Sequence, residues 1–506
     1  MLVLYGNIAV NNYPTFPTRR HFSDASYRSR PRVHISADDD HLTGFAGLLL
    51  SGELIRRTRL VARIDGAVEG VRAFKQRRRG RSAVELLVSL AEAMMAGGNH
   101  LAHLEVLRQD GAGAGLRAVA ETPAPTTAGQ LLRRLTVAQL RAALAATAEA
   151  GNVLDADLGL DATAPVTLDI DATTTEVYGR QKQGAAFNYE GRFSYKSQLV
   201  TWAERHRVLT AELHSGNSAA KPTAPRLLDA ALARLPQGHG PVSVRGDSDY
   251  FCSDVMQRCR RRRVRFAVSV PRNRAMWRAS YRMPEEGWRP ALEMPGAEIA
   301  ETTYRPSGWA HEPLRLLIRR RLLEVAELGS GRARRRRTVP LLQLQLALNG
   351  SVSQVYGYSF LLTDMAGDAT EIELWQRQRA HIEERIKDAK LGCGLIHLPL
   401  GTLRANRGWQ AAAVIAVNLV AMLSAVLLDT LPKPPVSDGD PLLGEDLAED
   451  DEPSHRLATT VRRWMIAAPG RLSRSGRRLH LHLPRGWLWA DRIIAVYERL
   501  RLIPVT

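Results

Sequence analysis

The chain has 506 residues, 45% of them hydrophobic, and a formal net charge of +18 at pH 7. A chain of this length can bury a large core and form about two to four domains. Its positive charge favours a polyanionic partner such as nucleic acid. Three cysteines are too few for a disulfide framework or a four-cysteine zinc site.

The N-terminal part of the chain divides into two segments. Residues 1–40 lack sustained periodicity, which predicts a loose tail. Residues 41–150 have a helical pattern, in which the apolar run Ala83–Ala96 ends at a pair of glycines. This segment is either a helical DNA-end-binding domain or a helical cap over the core. Both interpretations stay open, because no clear recognition helix stands out.

The periodicity changes to two residues near residue 165. Apolar Val166, Leu168 and Ile170 alternate with polar residues, which predicts a strand with Asp169 and Asp171 on one face. Further strand patterns follow, and Asp247 closes one of them after Gly246. Residues 160–271 are therefore predicted to form a mixed α/β domain with antiparallel leading strands.

The next segments suggest an interrupted core. Residues 272–355 are irregular, strand-like and rich in arginine, which predicts a β-rich insertion. The core resumes over 356–432, where Thr370-Glu-Ile-Glu373 predicts a capping box. In a helix over Arg379–Lys390, at about 100° per residue, Arg379, Glu383 and Lys390 lie on one face. Glu384 points elsewhere, so the phase selects Glu383.

The last part of the chain contains an apolar helix and two segments of opposite charge. Residues 411–428 approach the length of a membrane span, but the central Asn418 favours a buried core helix. Residues 433–455 are acidic and are predicted to be a disordered linker. Residues 456–506 are predicted to be a basic C-terminal module. The pairs His100/His103 and His480/His482 lack further ligands and are read as ordinary histidines.

Three acids on separate elements, Asp171, Asp247 and Glu383, suggest a metal-dependent phosphoryl-transfer site. Carboxylates close together repel unless a cation compensates, and cations beside Glu383 suit a phosphate-rich substrate. The competing interpretation is that strand-end aspartates cap turns. Each aspartate alone favours that interpretation, whereas the combination of all three favours the metal site.

These motifs together resemble those of DDE insertion-sequence transposases. Leu168-Asp-Ile-Asp-Ala-Thr173 resembles their first-strand box, Arg245-Gly-Asp-Ser248 their second, and Arg379-x3-Glu383-x6-Lys390 their tyrosine–arginine–glutamate–lysine signature. The nearest group by these motifs is the thirteen-eighty family of insertion sequences. The resemblance implies a ribonuclease-H-like mixed sheet interrupted by the β-rich insertion. One departure is Gln376, which occupies the signature's tyrosine position.

The resemblance also implies roles for individual residues. Asp171, Asp247 and Glu383 would hold two Mg²⁺ ions, for which Mn²⁺ can substitute, and these would activate a water or DNA 3′-hydroxyl and stabilise the leaving oxygen. The expected DNA-phosphate contacts are Arg379, Lys387 and Lys390. Asp169 is expected to orient this site without binding metal directly.

Trp277, Trp288 and Trp309 of the insertion have two open interpretations: they stack on a displaced DNA base, or they are hydrophobic anchors.

In the expected function, a homodimer cleaves the terminal inverted repeats and joins them to target DNA. It is expected to act in the bacterial cytoplasm, at the nucleoid, and to have no membrane partner. The alternatives are a metal-dependent nuclease of the same fold and a catalytically silent DNA-binding descendant.

Overall fold

A computed structural model describes residues 33–74, 80–328, 336–379, 382, 386–430 and 458–505. Most of the predicted tail, the whole predicted acidic linker and Glu383 lie outside these residues. Residues up to Asp40 and residues from His41 onward form two separate units. In the first unit, residues 33–39 have no regular secondary structure, and Ser36 Oγ donates a hydrogen bond of 2.8 Å to Asp38 Oδ1. The second unit contains all the helices and strands of the described residues.

The strands of this unit lie in three stretches of the chain: one near the start, a long middle stretch and one near the end. They are β1 (Leu42–Thr43), β2 (Val166–Glu176), β3 (Ala186–Phe187), β4 (Phe193–Trp202), β5 (Arg207–Ser215), β6 (Val242–Gly246), β7 (Arg265–Ser269), β8 (Arg289–Pro290), β9 (Ala297–Tyr304), β10 (Leu314–Glu324), β11 (Gln354–Thr363), β12 (Gly470–Ser475) and β13 (Arg478–His482).

The α-helices of the described residues come before, between and after these strands. They are α1 (Leu48–Arg57), α2 (Leu60–Val71), α3 (Ala83–Met95), α4 (Leu104–Gln109), α5 (Pro125–Leu132), α6 (Val137–Asp157), α7 (Ala224–Leu232), α8 (Ser253–Arg261), α9 (Arg274–Tyr281), α10 (Leu341–Leu348), α11 (Ala369–Arg377), α12 (Leu403–Asp429), α13 (Ala458–Val461) and α14 (Ala490–Leu502).

The central feature is a ten-stranded mixed sheet, ordered β3-β4-β2-β6-β7-β11-β10-β9-β8, with β5 paired to β4 as well. The leading strands β2, β4 and β5 are antiparallel neighbours. Strand β2 pairs in parallel with β6, and β6 in parallel with β7. The predicted mixed α/β class with antiparallel leading strands is confirmed.

The segment predicted as an insertion does not build a sheet of its own. Strand β9 pairs with β10, β10 with β11, and β11 with β7 of the core, all antiparallel. The sheet therefore continues through residues 289–363, with α9 and α10 beside these strands. The boundaries of the predicted domains remain predictions.

Alternation along β2 gives it one apolar face and one face of buried acids. Leu168 and Ile170 pack with helices α7 and α8 in one apolar cluster. The opposite face carries Asp169 and Asp171, both under a tenth exposed. The period of two thus assigned both faces of this strand correctly.

The second large apolar cluster gathers around α12 and contains residues of α1–α3, α5, α6, β4, β5 and α14. By length and composition α12 could cross a membrane, but 89% of its most apolar window is buried in the protein. Asn418 Oδ1 accepts a hydrogen bond of 2.8 Å from Val208 N, and its Nδ2 donates one of 2.9 Å to Val208 O. These contacts support the predicted core helix.

The C-terminal module joins the start of this unit. Strand β12 pairs with both β13 and β1, giving a three-stranded sheet in which Leu42 lies opposite Arg471. Helix α14 contributes Val496 and Leu500 to the cluster around α12. Residues 458–505 therefore share the core of the N-terminal helices.

Candidate active site

Two of the three predicted acids meet at one edge of the sheet. Strands β2 and β6 run in parallel, and Ile170 lies in register with Gly246. Asp171 is the next residue of β2, and Asp247 directly follows β6. Because adjacent strands lie about 4.8 Å apart, this pairing brings together two carboxylates that are 76 residues apart in the chain.

Asp171 is almost completely buried beside a cation. Its Oδ1 accepts a hydrogen bond of 2.7 Å from Ala172 N, and its Oδ2 accepts one of 3.2 Å from Arg379. Burial raises the pKa of Asp171 to about 6, with the Asp247 charge adding to the rise and Arg379 opposing it. The pair therefore holds more negative charge than Arg379 compensates.

Asp247 lies at the start of a single 3₁₀ turn, Ser248–Tyr250, and its Oδ1 accepts a hydrogen bond of 2.9 Å from Asp249 N. Burial raises the pKa of Asp247; the charge of Arg379 lowers it and that of Asp249 raises it. Asp247 thus caps a turn, as the competing interpretation predicted, and still faces the other acid.

Tyr250 is a residue that the sequence analysis missed. Its side chain is fully buried, and its hydroxyl has no hydrogen-bond partner in the described part of the chain. Its pKa lies well above the ordinary value because of burial and the charges of Asp171 and Asp247. The Tyr250 ring therefore belongs to the apolar cluster beside the two acids. The sequence signal that could have identified Tyr250 is its position three residues after Asp247.

The helix predicted over Arg379–Lys390 is confirmed only in part. Ile382, Ile386 and Lys387 are helical, but helix α11 ends at Arg377, Arg379 lies in a turn, and residues Asp388–Gly392 form a π-helical turn. The predicted capping box is wrong, because Asp368 is the N-cap and accepts from Thr370 N at 2.7 Å. A constant 100° phase therefore does not relate Arg379 to Lys390, and Glu383 lies outside the described residues.

The predicted phosphate contacts differ in their surroundings. Arg379 faces the acids, and its charge lowers the pKa of Asp171 and Asp247. Lys390 is half-buried and donates a hydrogen bond of 2.8 Å to Thr174 O on β2, and burial lowers its pKa. Lys387 is exposed. The structure brings Arg379 to the pair and places Lys390 further along β2.

Asp169 forms a buried ion pair rather than facing the other acids. Arg245 donates from Nε to Asp169 Oδ1 at 2.6 Å and from a terminal nitrogen to Oδ2 at 2.8 Å. Arg245 also donates to Trp375 O at 2.6 Å, and its guanidinium lies 5.0 Å from the Trp375 ring centroid. This arrangement connects β2, β6 and α11 immediately behind Asp171 and Asp247.

Gln376 occupies the position of the signature tyrosine and makes a backbone contact. Its Nε2 donates a hydrogen bond of 3.1 Å to the carbonyl of Gly246, directly before Asp247. The side chain is buried, and its Oε1 has no partner in the described residues. Gln376 therefore connects α11 to the end of β6.

The three tryptophans pack into the core beside β10 and β11. Trp288 is 9% and Trp309 4% exposed, and Trp309 Nε1 donates to Glu312 O at 2.9 Å. Trp277 is half-buried, with its ring centroid 5.6 Å from that of Phe360. The burial of Trp288 and Trp309 matches hydrophobic anchors. Stacking on a base would require these two side chains to leave the core.

The described residues contain no group of three or more His, Cys, Asp or Glu that could hold a metal ion. Two neighbouring carboxylates, each with its pKa raised by burial, nevertheless suit a hard divalent cation. One further carboxylate would complete such a donor set. The residues present therefore fit a metal site to which Asp171 and Asp247 contribute.

Comparisons with known proteins agree with this geometry at the level of family. The family model described as "Transposase DDE domain group 1" matches residues 25–433. No curated protein matches. A cryo-EM structure of the piggyBac transposase synaptic complex with hairpin DNA is similar over 74% of each chain, at 11% identity and a TM-score of 0.35. A likeness this weak carries no argument about the site.

Proposed function

Because the chain belongs to the transposase DDE domain group 1 family, we propose that it is an insertion-sequence transposase. In this proposal it binds the terminal inverted repeats of its element, cleaves them and joins the ends to target DNA. The observation that carries the proposal is the proximity of Asp171, in the middle of β2, to Asp247, directly after the adjacent parallel strand β6. The finer assignment to the thirteen-eighty family rests on the three sequence boxes.

A ribonuclease-H-like core is the proposed architecture. It is supported by antiparallel β2, β4 and β5, followed by β6 and β7 running parallel to β2. Asp247 then lies just past the carboxyl end of β6, beside Asp171 in the middle of the neighbouring strand β2. The remaining strands enlarge the sheet on the β7 side.

Glu383 is the proposed third acid of the site. Its neighbour Ile382 is buried in the α12 cluster, and Arg379 lies beside Asp171. With Asp171 and Asp247 it would hold two Mg²⁺ or Mn²⁺ ions, which supply activation of the attacking hydroxyl and stabilisation of the leaving oxygen. Arg379, Lys387 and Lys390 would contact DNA phosphates, and the excess of basic residues would attract the duplex.

The proposed role of the Asp169–Arg245 pair is positional. By joining β2 and β6 directly behind the acids, it fixes the separation of Asp171 and Asp247. Gln376 adds a contact to Gly246 O from α11. Buried hydrogen-bonded networks of this kind restrict a site to one arrangement. The joining of two ends further implies a homodimer, acting on bacterial chromosomal DNA.

The test is DNA cleavage by purified protein with the DNA that flanks its gene, in Mg²⁺. Asp171→Asn and Asp247→Asn should abolish cleavage and leave binding of the ends largely intact. Each substitution removes a charge at the acid pair without changing side-chain size. Cleavage persisting in either variant would refute the assignment.

The alternatives separate in a second reaction. Pre-cut ends supplied with a target plasmid are joined by a transposase, whereas a nuclease of the same fold cuts without joining. A catalytically silent DNA-binding descendant carries out neither reaction in Mg²⁺ or Mn²⁺. Inverted repeats bracketed by a short target duplication around the gene would support the transposase independently.

A further inference from the structure

A cleft of about 250 Å³ opens beside the acid pair, between α11 and strands β7, β10 and β11. Gly246 of β6 is in register with Val268 of β7, so Asp247 and the cleft residue Ser269 are the next residues of adjacent strands. The cleft thus begins one strand away from Asp247. At about 30 Å³ per water molecule it has room for roughly eight waters, enough for a phosphodiester group.

The walls of the cleft carry surplus positive charge. Arg319 of β10, Arg377 of α11 and Arg379 line it together with a single carboxylate, that of Glu373. Arg319 donates to Glu373 Oε1, and Arg377 donates to Oε2 at 2.8 Å. The Glu373 side chain is only 7% exposed, whereas those of Arg319 and Arg377 are 24% and 20% exposed. The guanidiniums therefore reach solvent where the carboxylate does not.

An ion pair alone does not account for this arrangement. One arginine can satisfy both oxygens of a carboxylate through a bidentate contact. Here Arg319 and Arg377 both donate to Glu373. The third arginine, Arg379, donates to Asp171 instead. Each guanidinium has five N–H donors, and Arg319 uses one of them on Glu373 in the described part of the chain. The hydroxyls of Ser269 and Ser359 lie in the same cleft.

We propose that this cleft binds a phosphate of the DNA strand that is cut at the acid pair. The guanidiniums and hydroxyls of the cleft suit a phosphodiester. Arg379 lines the cleft and also donates a hydrogen bond to Asp171. Lys390 lies further along β2, at Thr174, and does not line the cleft. The bound strand then has the cleft arginines near its scissile phosphate and Lys390 as a separate cation along β2. This inference rests on the proposed function.

The experiment measures binding of fluorescent oligo(dT) by anisotropy over a range of KCl, in EDTA so that cleavage plays no part. Arg319→Gln and Arg377→Gln should each weaken binding and reduce the slope of log affinity against log salt by about 0.7. Glu373→Gln should tighten binding, since it releases both arginines from a competing anion. Arg319→Lys, which keeps the charge, should retain the slope.

Arg315→Gln is the matched control. Arg315 lies on the same face of β10, is 25% exposed and pairs with Glu301, but it does not line the cleft. Thermal melting checks that each variant is folded. If Arg319→Gln does not fold, the binding of Arg377→Gln and Glu373→Gln tests the proposal. Slopes equal to those of wild type and Arg315→Gln, or weaker binding by Glu373→Gln, would overturn the proposal.

The two proposals can fail separately. Normal cleavage by wild type together with unchanged slopes removes the phosphate cleft and leaves the transposase assignment standing. Reduced slopes in a protein that does not cleave DNA leave the cleft as a DNA contact and remove the proposed catalysis.

Discussion

Removal of the buried charge of Asp171 should stabilise the protein in the absence of metal. The pKa of this carboxyl rises from 3.8 to about 6 because of burial and the neighbouring Asp247. A tenfold change in proton affinity corresponds to about 1.4 kcal/mol, so ionised Asp171 costs the folded protein roughly 3 kcal/mol. Asp171→Asn, which resembles the protonated acid, should recover up to that amount.

The pH dependence follows from the direction of the shift. A carboxyl whose pKa is raised by folding contributes stability that is present below its unfolded value and is lost as the pH rises through about 6. In EDTA, wild type and Asp171→Asn should therefore differ little below about pH 4 and differ fully above about pH 7. The assay is urea unfolding of both proteins across this range.

Addition of Mg²⁺ should reverse the order, because a cation stabilises the ionised pair in wild type only. Glu92→Gln is the matched control: Glu92 is fully buried in the helical part, and burial raises its pKa to about 7. This variant should also gain stability in EDTA at high pH, but it should keep the full Mg²⁺ response. The reasoning would be refuted if Asp171→Asn were the less stable protein in EDTA at high pH, or if it responded to Mg²⁺ as wild type does.

Three further outcomes follow from individual contacts. Asp169→Asn leaves Arg245 buried without its carboxylate and should cost about 3–5 kcal/mol in urea unfolding; a loss below about 1 kcal/mol would contradict a buried pair. Asn418→Leu removes both hydrogen bonds to Val208 and should cost about 2–4 kcal/mol, whereas an unchanged midpoint would argue against α12 packing on β5. Lys390→Gln should reduce the salt slope of duplex DNA binding by about 0.9; an unchanged slope with a lower melting temperature would restrict Lys390 to its contact with Thr174 O.

Local patterns predicted the strands of the site but not how they pair. Alternation placed Asp169 and Asp171 on the polar face of β2, and the strand before Asp247 was also recognised. The parallel pairing of β2 with β6, which brings Asp171 and Asp247 together, is a long-range contact that the sequence did not indicate. The sequence did not indicate that Asp169 pairs with Arg245, because that contact depends on the register between the two strands.

Longer-range features escaped prediction for a physical reason. Strand β11 pairs with β7 across about ninety residues, and such pairing leaves no trace in local periodicity. Strands β8, β9 and β10 were therefore expected in a separate insertion rather than in the main sheet, whereas β11 was expected to resume the core. The C-terminal strands β12 and β13 likewise pair with residues at the start of the unit.

The segment after α11 shows the limit of helical phase arguments. A projection at a constant angle assumes an unbroken α-helix, but α11 ends at Arg377 and a π-helical turn contains Lys390. Side-chain directions beyond Arg377 therefore depend on tertiary contacts, such as that between Lys390 and Thr174 O. The choice between Glu383 and Glu384 consequently rests on the resemblance in motif spacing.

The most direct measurement is Mg²⁺-dependent cleavage of the element ends by two variants, Glu383→Gln and Glu384→Gln. Both lose one negative charge at adjacent positions, so they differ only in which carboxylate is removed. If Glu383 completes the site of Asp171 and Asp247, Glu383→Gln should bind the ends without cutting them, and Glu384→Gln should cut nearly as wild type does. Cleavage by Glu383→Gln, or equal loss in both variants, would contradict the assignment.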